Sequence, residues 1–219
     1  ETRTKLEALE AAMTRFVMTN QRLPCPADGS LGPGNANQGL EQATCVATVN
    51  GVVPWRTLAI PQESASDAWG NLVTYRVWGG ADSLTVGDGM NMSTLNPVTA
   101  GAVTGWLATR GFRVCNSAPT CLAANELASK SDGNGVAYFL ISHGANKFGA
   151  YTPNGVLIDT ANGIAPGALE IHNADRVTNH DFYIDVDLTE NDASYYDDIV
   201  LRPTVIKVAL DAGLGPRVP

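Results

Sequence analysis

Three histidines, His143, His172 and His180, are the side chains best suited to acid–base or metal chemistry near neutral pH. Their spacing does not place two of them on one helical face, as the helix of a zinc hydrolase requires. Ser142 directly precedes His143, so in a strand their side chains point to opposite faces and cannot form a Ser–His pair. The sequence has no Gly-x-Ser-x-Gly elbow and no phosphate-binding loop. We therefore predict that the protein is not an enzyme.

A second group of candidate residues is an acidic stretch formed by Asp185, Asp187, Glu190 and Asp192. Calcium prefers several oxygen ligands, and carboxylates above all. The stretch lacks the glycine of an EF-hand loop, so that particular motif is excluded. The alternative interpretation is a solvated acidic face.

Four tryptophans leave a carbohydrate site open as a further alternative: Trp55, Trp69, Trp78 and Trp106. Large aromatic residues more often belong to a core, which is the interpretation we favour. A secreted hydrolase or sugar-binding domain also needs a concave site with converging polar groups, and no sequence motif indicates one.

The net charge of −8, from 14 basic and 22 acidic residues, excludes partners that need a basic surface. Nucleic acids are bound through clustered Lys and Arg that neutralise phosphates, and anionic membrane surfaces attract the same residues. No such cluster is present, so we predict no nucleic-acid partner. The sequence also lacks a run of about 18 apolar residues that could span a bilayer.

Four cysteines form an even set that suits two disulfides in an oxidising compartment: Cys25, Cys45, Cys115 and Cys121. Three pairings are possible. The pairing of neighbours in sequence, Cys25 with Cys45 and Cys115 with Cys121, is favoured because it closes the smaller loops. The spacings match no usual zinc motif, so a zinc site is not expected. Four buried free thiols are the alternative to the two disulfides.

The first twenty residues show the periodicity of an amphipathic helix. One apolar stripe recurs at spacings of three and four and is expected to pack on a sheet: Leu6, Leu9, Met13, Phe16 and Val17. Pro24 and Pro26 end the helix. No N-cap precedes the pattern, which leads us to expect a longer native helix upstream.

The rest of the chain alternates long loops with short strands, beginning with a turn-rich loop from Ala27 to about Asn50. Apolar, β-branched and aromatic runs predict strands at 72–78, 111–115, 136–142, 181–188 and 199–201. Helical segments are predicted at 98–110, 122–130 and 204–212. The sequence thus predicts one α+β domain over residues 1–219, a long N-terminal helix on a mostly antiparallel sheet with long loops.

The order of several short segments resembles the type IV pilin and type II secretion pseudopilin family. The helix running into Arg22-Leu23-Pro24-Cys25-Pro26 is followed by Asp67-Ala68-Trp69-Gly70-Asn71, which is similar to the family's Asp-Pro-Trp-Gly-Asn. Ser142-His143-Gly144-Ala145-Asn146 looks like the family's Ser-Leu-Gly-Ala-Asp, and Asp197-Asp198-Ile199 like its later Asp-x-Asp-Ile. Together these segments extend across residues 1 to about 200.

The resemblance implies a pilin-like fold and the role of a structural filament subunit. Residues 1–22 would be the C-terminal half of the pilin helix, and residues 23–219 the head. A preceding apolar segment, cleaved and N-methylated in the family, would anchor the unassembled subunit in the inner membrane. It would later pack with copies of itself or other pilins in the filament core. The head would lie in the periplasm before assembly and in a periplasmic or extracellular filament afterwards.

The resemblance also implies one candidate cofactor and an alternative role. Major pseudopilins bind calcium between the two late motifs, and the matching positions here are Asn146, Asp197 and Asp198. The long loops make a minor or tip pilin, with adhesive or partner-binding loops, the alternative to a major subunit.

Overall fold

The computed structural model describes residues 1–45, 51–79, 82–96, 98–161, 163–175, 180–191 and 194–217. Over these residues the chain combines helices with two sheets that are mostly antiparallel, which confirms the predicted α+β class. The end of the predicted first loop, at 46–50, and Asp192 lie outside the described residues.

Helix α1, Thr2–Asn20, begins the fold and buries one stripe of its surface. Four of the predicted stripe residues are at most 1% exposed: Leu6, Leu9, Met13 and Val17. Phe16 is only half-buried, and the Arg22 guanidinium lies over its ring, with Cζ 5.2 Å from the ring centroid. The helix ends at Gln21, whose φ of 56° is left-handed, and the prolines that follow prevent its continuation.

Five strands form the first sheet, in the order β1-β2-β3-β6-β8, with every pair antiparallel. They are β1 (Ala27–Asp28), β2 (Gly51–Val52), β3 (Thr74–Val77), β6 (Tyr138–Ser142) and β8 (Ile199–Leu201). β3 and β6 are buried at every position, as expected of central strands covered on both faces. β8 is the last strand of the order, and α1 packs against it.

The second sheet has the order β5-β4-β7 and contains one parallel pair, β4 with β7. Its strands are β4 (Arg113–Cys115), β5 (Glu126–Ala128) and β7 (Phe182–Ile184). The helical turn predicted at 122–130 is therefore only partly right. A short 3₁₀ helix at Ala123–Asn125 leads directly into β5, because pairing with β4 outweighs the local helical propensity.

Within the described residues, three further α-helices are shorter than α1: α2 (Ala100–Ala108), α3 (Ala168–Ala174) and α4 (Val205–Asp211). Thr99 and Thr204 cap α2 and α4, each by accepting a backbone N–H with its side chain. α3 packs against β7 and was not anticipated from the sequence. None of the helices in the described ranges is long and apolar enough to cross a membrane.

Two disulfides link the cysteines that are neighbours in sequence. Cys25 pairs with Cys45 and Cys115 with Cys121, at Cα–Cα distances of 5.2 and 5.8 Å. The first closes the loop that follows α1, and the second closes a short loop after β4. Both restrict regions that have little regular structure of their own.

Candidate functional site

Three buried carboxylates meet where β6 and β8 approach α3, and we call Glu170, Asp197 and Asp198 the acid cluster. Each offers one oxygen, and these oxygens lie within 4.8 Å of one another. All three residues are at most 9% exposed. Buried carboxylates at such distances repel one another unless a proton, a cation or hydrogen bonds compensate their charges.

Asp197 is held by the turn that follows β6. Its Oδ2 accepts hydrogen bonds from the backbone N–H of Ala145 (2.6 Å) and of Asn146 (3.1 Å), and from the Tyr195 hydroxyl (3.0 Å). The turn includes Gly144, with φ of 54°, where a Cβ would lie only 2.4 Å from Asp197 Oδ1. Glycine is thus required for the backbone to approach this carboxylate.

The other oxygen, Oδ1 of Asp197, is buried and has no hydrogen-bond partner. Such orphaned buried acceptors are rare, and each one has a cost because it has lost its water. This oxygen belongs to a carboxylate of the acid cluster, so a cation bound there would have an unused ligand available.

Glu170 reaches the cluster from α3. Its Oε1 accepts the backbone N–H of Asp197 and its Oε2 accepts the side-chain amide of Asn146, both at 2.7 Å. Burial, the neighbouring Asp197 carboxyl and the charge of Asp198 raise the pKa of Glu170 to about 8. At neutral pH the cluster therefore retains a proton on Glu170.

Asp198 is the end of a buried chain of polar side chains. Its Oδ1 lies 3.2 Å from His143 Nδ1, and His143 Nε2 lies 3.0 Å from Thr74 Oγ1. Its Oδ2 accepts the side-chain amide of Asn173 at 2.9 Å. The order Thr–His–Asp is that of a hydrolase triad, but Thr74 is 2% exposed and lies within the central strand β3. The burial of Thr74 favours a structural role for this series of polar side chains over a catalytic one.

The predicted calcium residues are thus brought together, with one difference in how they act. Asn146 contacts the cluster through its amide nitrogen, because its Oδ1 accepts the backbone N–H of Phe148 at 3.0 Å. It orients Glu170 and presents no oxygen. Sequence reasoning missed Glu170; the helix formers Ala-Leu-Glu after Pro166-Gly167 were the available signal.

The remaining sequence candidates are dispersed. The rings of His172 and His180 are tilted at 53° to each other with centroids 4.4 Å apart, and burial lowers the pKa of His172. Trp55 and Trp78 are buried, whereas Trp69 is 37% exposed. The indole of Trp106 lies beneath the guanidinium of Arg110. The four tryptophans therefore do not form one aromatic platform.

Three motif segments, at 67–71, 142–146 and 197–199, lie next to one another between the first turn of α1 and the acid cluster. The first turn of α1 bonds the 67–71 turn, since Lys5 donates to the Asp67 carbonyl at 3.1 Å and Thr2 accepts from the backbone of Ala68 at 3.2 Å. Asp67 in turn accepts the Ser142 hydroxyl at 2.6 Å, at the end of β6. From there the backbone N–H groups of 145 and 146 reach Asp197.

The arrangement can hold a proton or a hard cation, and it can fix α3, β6 and β8 relative to one another. Oxygen donors without thiolate or imidazole in the cluster favour calcium or magnesium over zinc. No protein-family model, no curated protein and no solved structure matches this chain.

Proposed function

We propose that this chain is the globular head of a type IV pilin-like filament subunit, with a structural and not a catalytic role. The observation that carries the proposal is the convergence of the motif segments. Segments separated by up to 197 positions in sequence are joined by direct hydrogen bonds, as in the contact from Arg3 Nη1 to the Val200 carbonyl at 3.1 Å. Segments that resemble family motifs thus serve one local structure.

The exposed face of α1 supports a role in assembly. The side chains opposite the buried stripe include Ala8 and Ala11, which are small and exposed to solvent. Small side chains allow another helix to approach closely. A second helix can pack there without moving the head, and this is how we propose that neighbouring subunits meet.

The first test is to read the coding DNA upstream of Glu1. The proposal expects a short basic leader ending in Gly, followed by about twenty-five apolar residues, enough to span a bilayer, with one Glu near their start. An ordinary cleavable signal peptide ending just before Glu1 would overturn the polymerisation mechanism and favour a secreted binding protein.

A second test uses surface filaments sheared from the source bacterium and probed by immunogold electron microscopy. We expect Ala8→Arg and Ala11→Arg to leave the head folded, because both side chains are exposed, but to remove the protein from the sheared fraction. Ala124→Arg, at an exposed position in the 3₁₀ helix before β5, is the matched control and is expected to assemble. Filaments that contain all three variants equally would contradict the role of this face.

The acid cluster is, by the same proposal, a calcium site that stabilises the head. Glu170, Asp197 and Asp198 would supply the ligands, and the unpartnered Asp197 Oδ1 is the observation that favours an added cation. Calcium would neutralise charges that a proton on Glu170 otherwise offsets. Its role would be to hold α3 against the segment that leads into β8.

A further inference from the structure

A groove of about 810 Å³ lies between the two sheets, and we call it the β8 groove. β8 and the start of α1 line it with Val200 and Arg3. Leu127 of β5 and the segment that follows β7, with Asp187 and Leu188, line it as well. The volume falls within the range of ligand-binding clefts.

Apolar side chains lie open to solvent along the β8 groove. Leu127 is 51% exposed and Leu188 is 64% exposed, and Trp69 at the same groove is also partly open. Single exposed apolar residues are ordinary, but several that line one concave surface mark an interaction site. Aliphatic lining residues outnumber aromatic ones, so the groove suits a peptide side chain better than a sugar.

The charge of the β8 groove is strongly negative. Five carboxylates line it against one guanidinium, that of Arg3. Asp185 is paired with Arg202, and Asp197 and Asp198 are engaged in the acid cluster. Asp187 and Glu190 are exposed, and neither is in an ion pair within the described ranges. Positive charge on an occupant would be complementary to these two carboxylates.

The β8 groove also follows a strand edge. β8 pairs with β6 and is the last strand in the order of its sheet, so its other edge faces away from that sheet. On this side the Val200 carbonyl accepts the Arg3 guanidinium. A charged side chain at an edge is a common protection against pairing with other chains.

We propose that the β8 groove binds an extended polypeptide segment in which Lys or Arg alternates with aliphatic residues, added as a strand along β8. Alternate side chains of an extended segment point to opposite faces. Its aliphatic side chains would contact Leu127 and Leu188, and its cations would meet Asp187 and Glu190. Its backbone would pair with β8, the mode known as β-augmentation. This inference does not depend on the filament assignment.

The test uses the purified chain and a fluorescein-labelled probe, acetyl-Lys-Val-Lys-Val-Lys-Val-amide, with binding followed by fluorescence anisotropy. The double variant Asp187→Asn with Glu190→Gln is expected to weaken binding about tenfold at low salt. The matched control, Glu7→Gln with Glu63→Gln, removes the same charge from exposed positions outside the groove and is expected to leave binding unchanged. Equal weakening by both pairs would overturn the proposal in favour of general electrostatic attraction.

Leu188→Lys places a cation in the β8 groove and is expected to abolish binding. Leu188 is largely exposed, so the variant should fold. Leu210→Lys makes the same change at a similarly exposed site on α4, outside the groove, and should bind normally. The peptide proposal would be refuted if the probe did not bind the unaltered chain. It would also be refuted if cello- and chito-oligosaccharides bound through Trp69 and displaced the probe.

Pairing along β8 is tested with a backbone-methylated probe and with Arg3→Ala, a variant that changes both the charge of the groove and its free edge. The variant removes the cation and releases the Val200 carbonyl, so binding is expected to tighten about threefold, whereas Arg15→Ala on the same helix should have no effect. A probe N-methylated at alternate amides cannot pair along β8 and should lose binding while it keeps its charge. Undiminished binding of the methylated probe would exclude β-augmentation.

Discussion

Leu9→Ala is expected to lower the free energy of unfolding by about 3 to 4 kcal/mol, because a leucine truncated in a closed core leaves a cavity. Leu9 is 1% exposed and belongs to the main core cluster together with the strands of the first sheet. Phe16→Ala, seven positions later on the same helix, is expected to cost only about 1 kcal/mol. Phe16 is half-buried, outside the core cluster, and contacts the Arg22 guanidinium.

The two variants form a matched pair, since both truncate one large apolar side chain of α1. Urea unfolding, followed by circular dichroism with disulfides intact, gives both free energies. A larger loss for Phe16→Ala than for Leu9→Ala would contradict the packing of α1.

The periodicity of the sequence correctly predicted the helices and strands whose signals lie in neighbouring residues. The apolar stripe of α1 and the apolar and aromatic run of β6 are strong patterns, and they lie where the sequence placed them. α4 was predicted at 204–212 with a stop at Gly213, and it spans Val205–Asp211. These elements need no distant partner to be recognised in the sequence.

Long-range pairing explains the elements that sequence reasoning missed. The strand predicted at 181–188 is shorter in the structure, Phe182–Ile184, because β7 pairs only along the length of β4. α3 has just seven residues, too few to show a helical period, and depends on contact with β7. Asn173 makes that contact by bonding both the N–H and the carbonyl of Ile184.

The acid cluster was only partly predictable, because two of its residues belong to a local motif and the third is brought in by a long-range contact. Asp197 and Asp198 were found from a short motif, and β6 and the segment before β8 place them beside the turn at 143–146. Glu170 is 24 positions from Asn146 and 27 from Asp197, and no spacing rule joins it to either. It reaches them only because α3 packs on β7, a tertiary contact with no local signal.

The pH dependence of stability should reveal how the acid cluster is compensated. The pKa of Glu170 rises from an ordinary value near 4.5 to about 8 in the folded chain. A raised pKa means that the folded state binds the proton more tightly than the unfolded state does. This contribution to stability is therefore complete below pH 4.5 and is lost as the pH rises through about 8.

Calcium should reverse that loss, because it binds best when Glu170 has released its proton. At a concentration of about 100 times its dissociation constant, calcium is expected to raise the Tm by about 5 to 10 °C at pH 8. The increase should be much smaller at pH 5, where the proton competes. Differential scanning calorimetry in EDTA and in calcium, at both pH values, measures the effect.

Glu170→Gln tests whether this carboxyl is responsible, since glutamine keeps the size of a protonated glutamic acid but cannot ionise. We expect the variant to lose most of the calcium shift at pH 8 and the contribution of residue 170 to the pH dependence. Glu63→Gln, at an exposed position, should retain both. A full calcium shift in Glu170→Gln would place the ion elsewhere. No shift in the unaltered protein would mean that a proton alone compensates the acid cluster, and the filament proposal would stand without its cation.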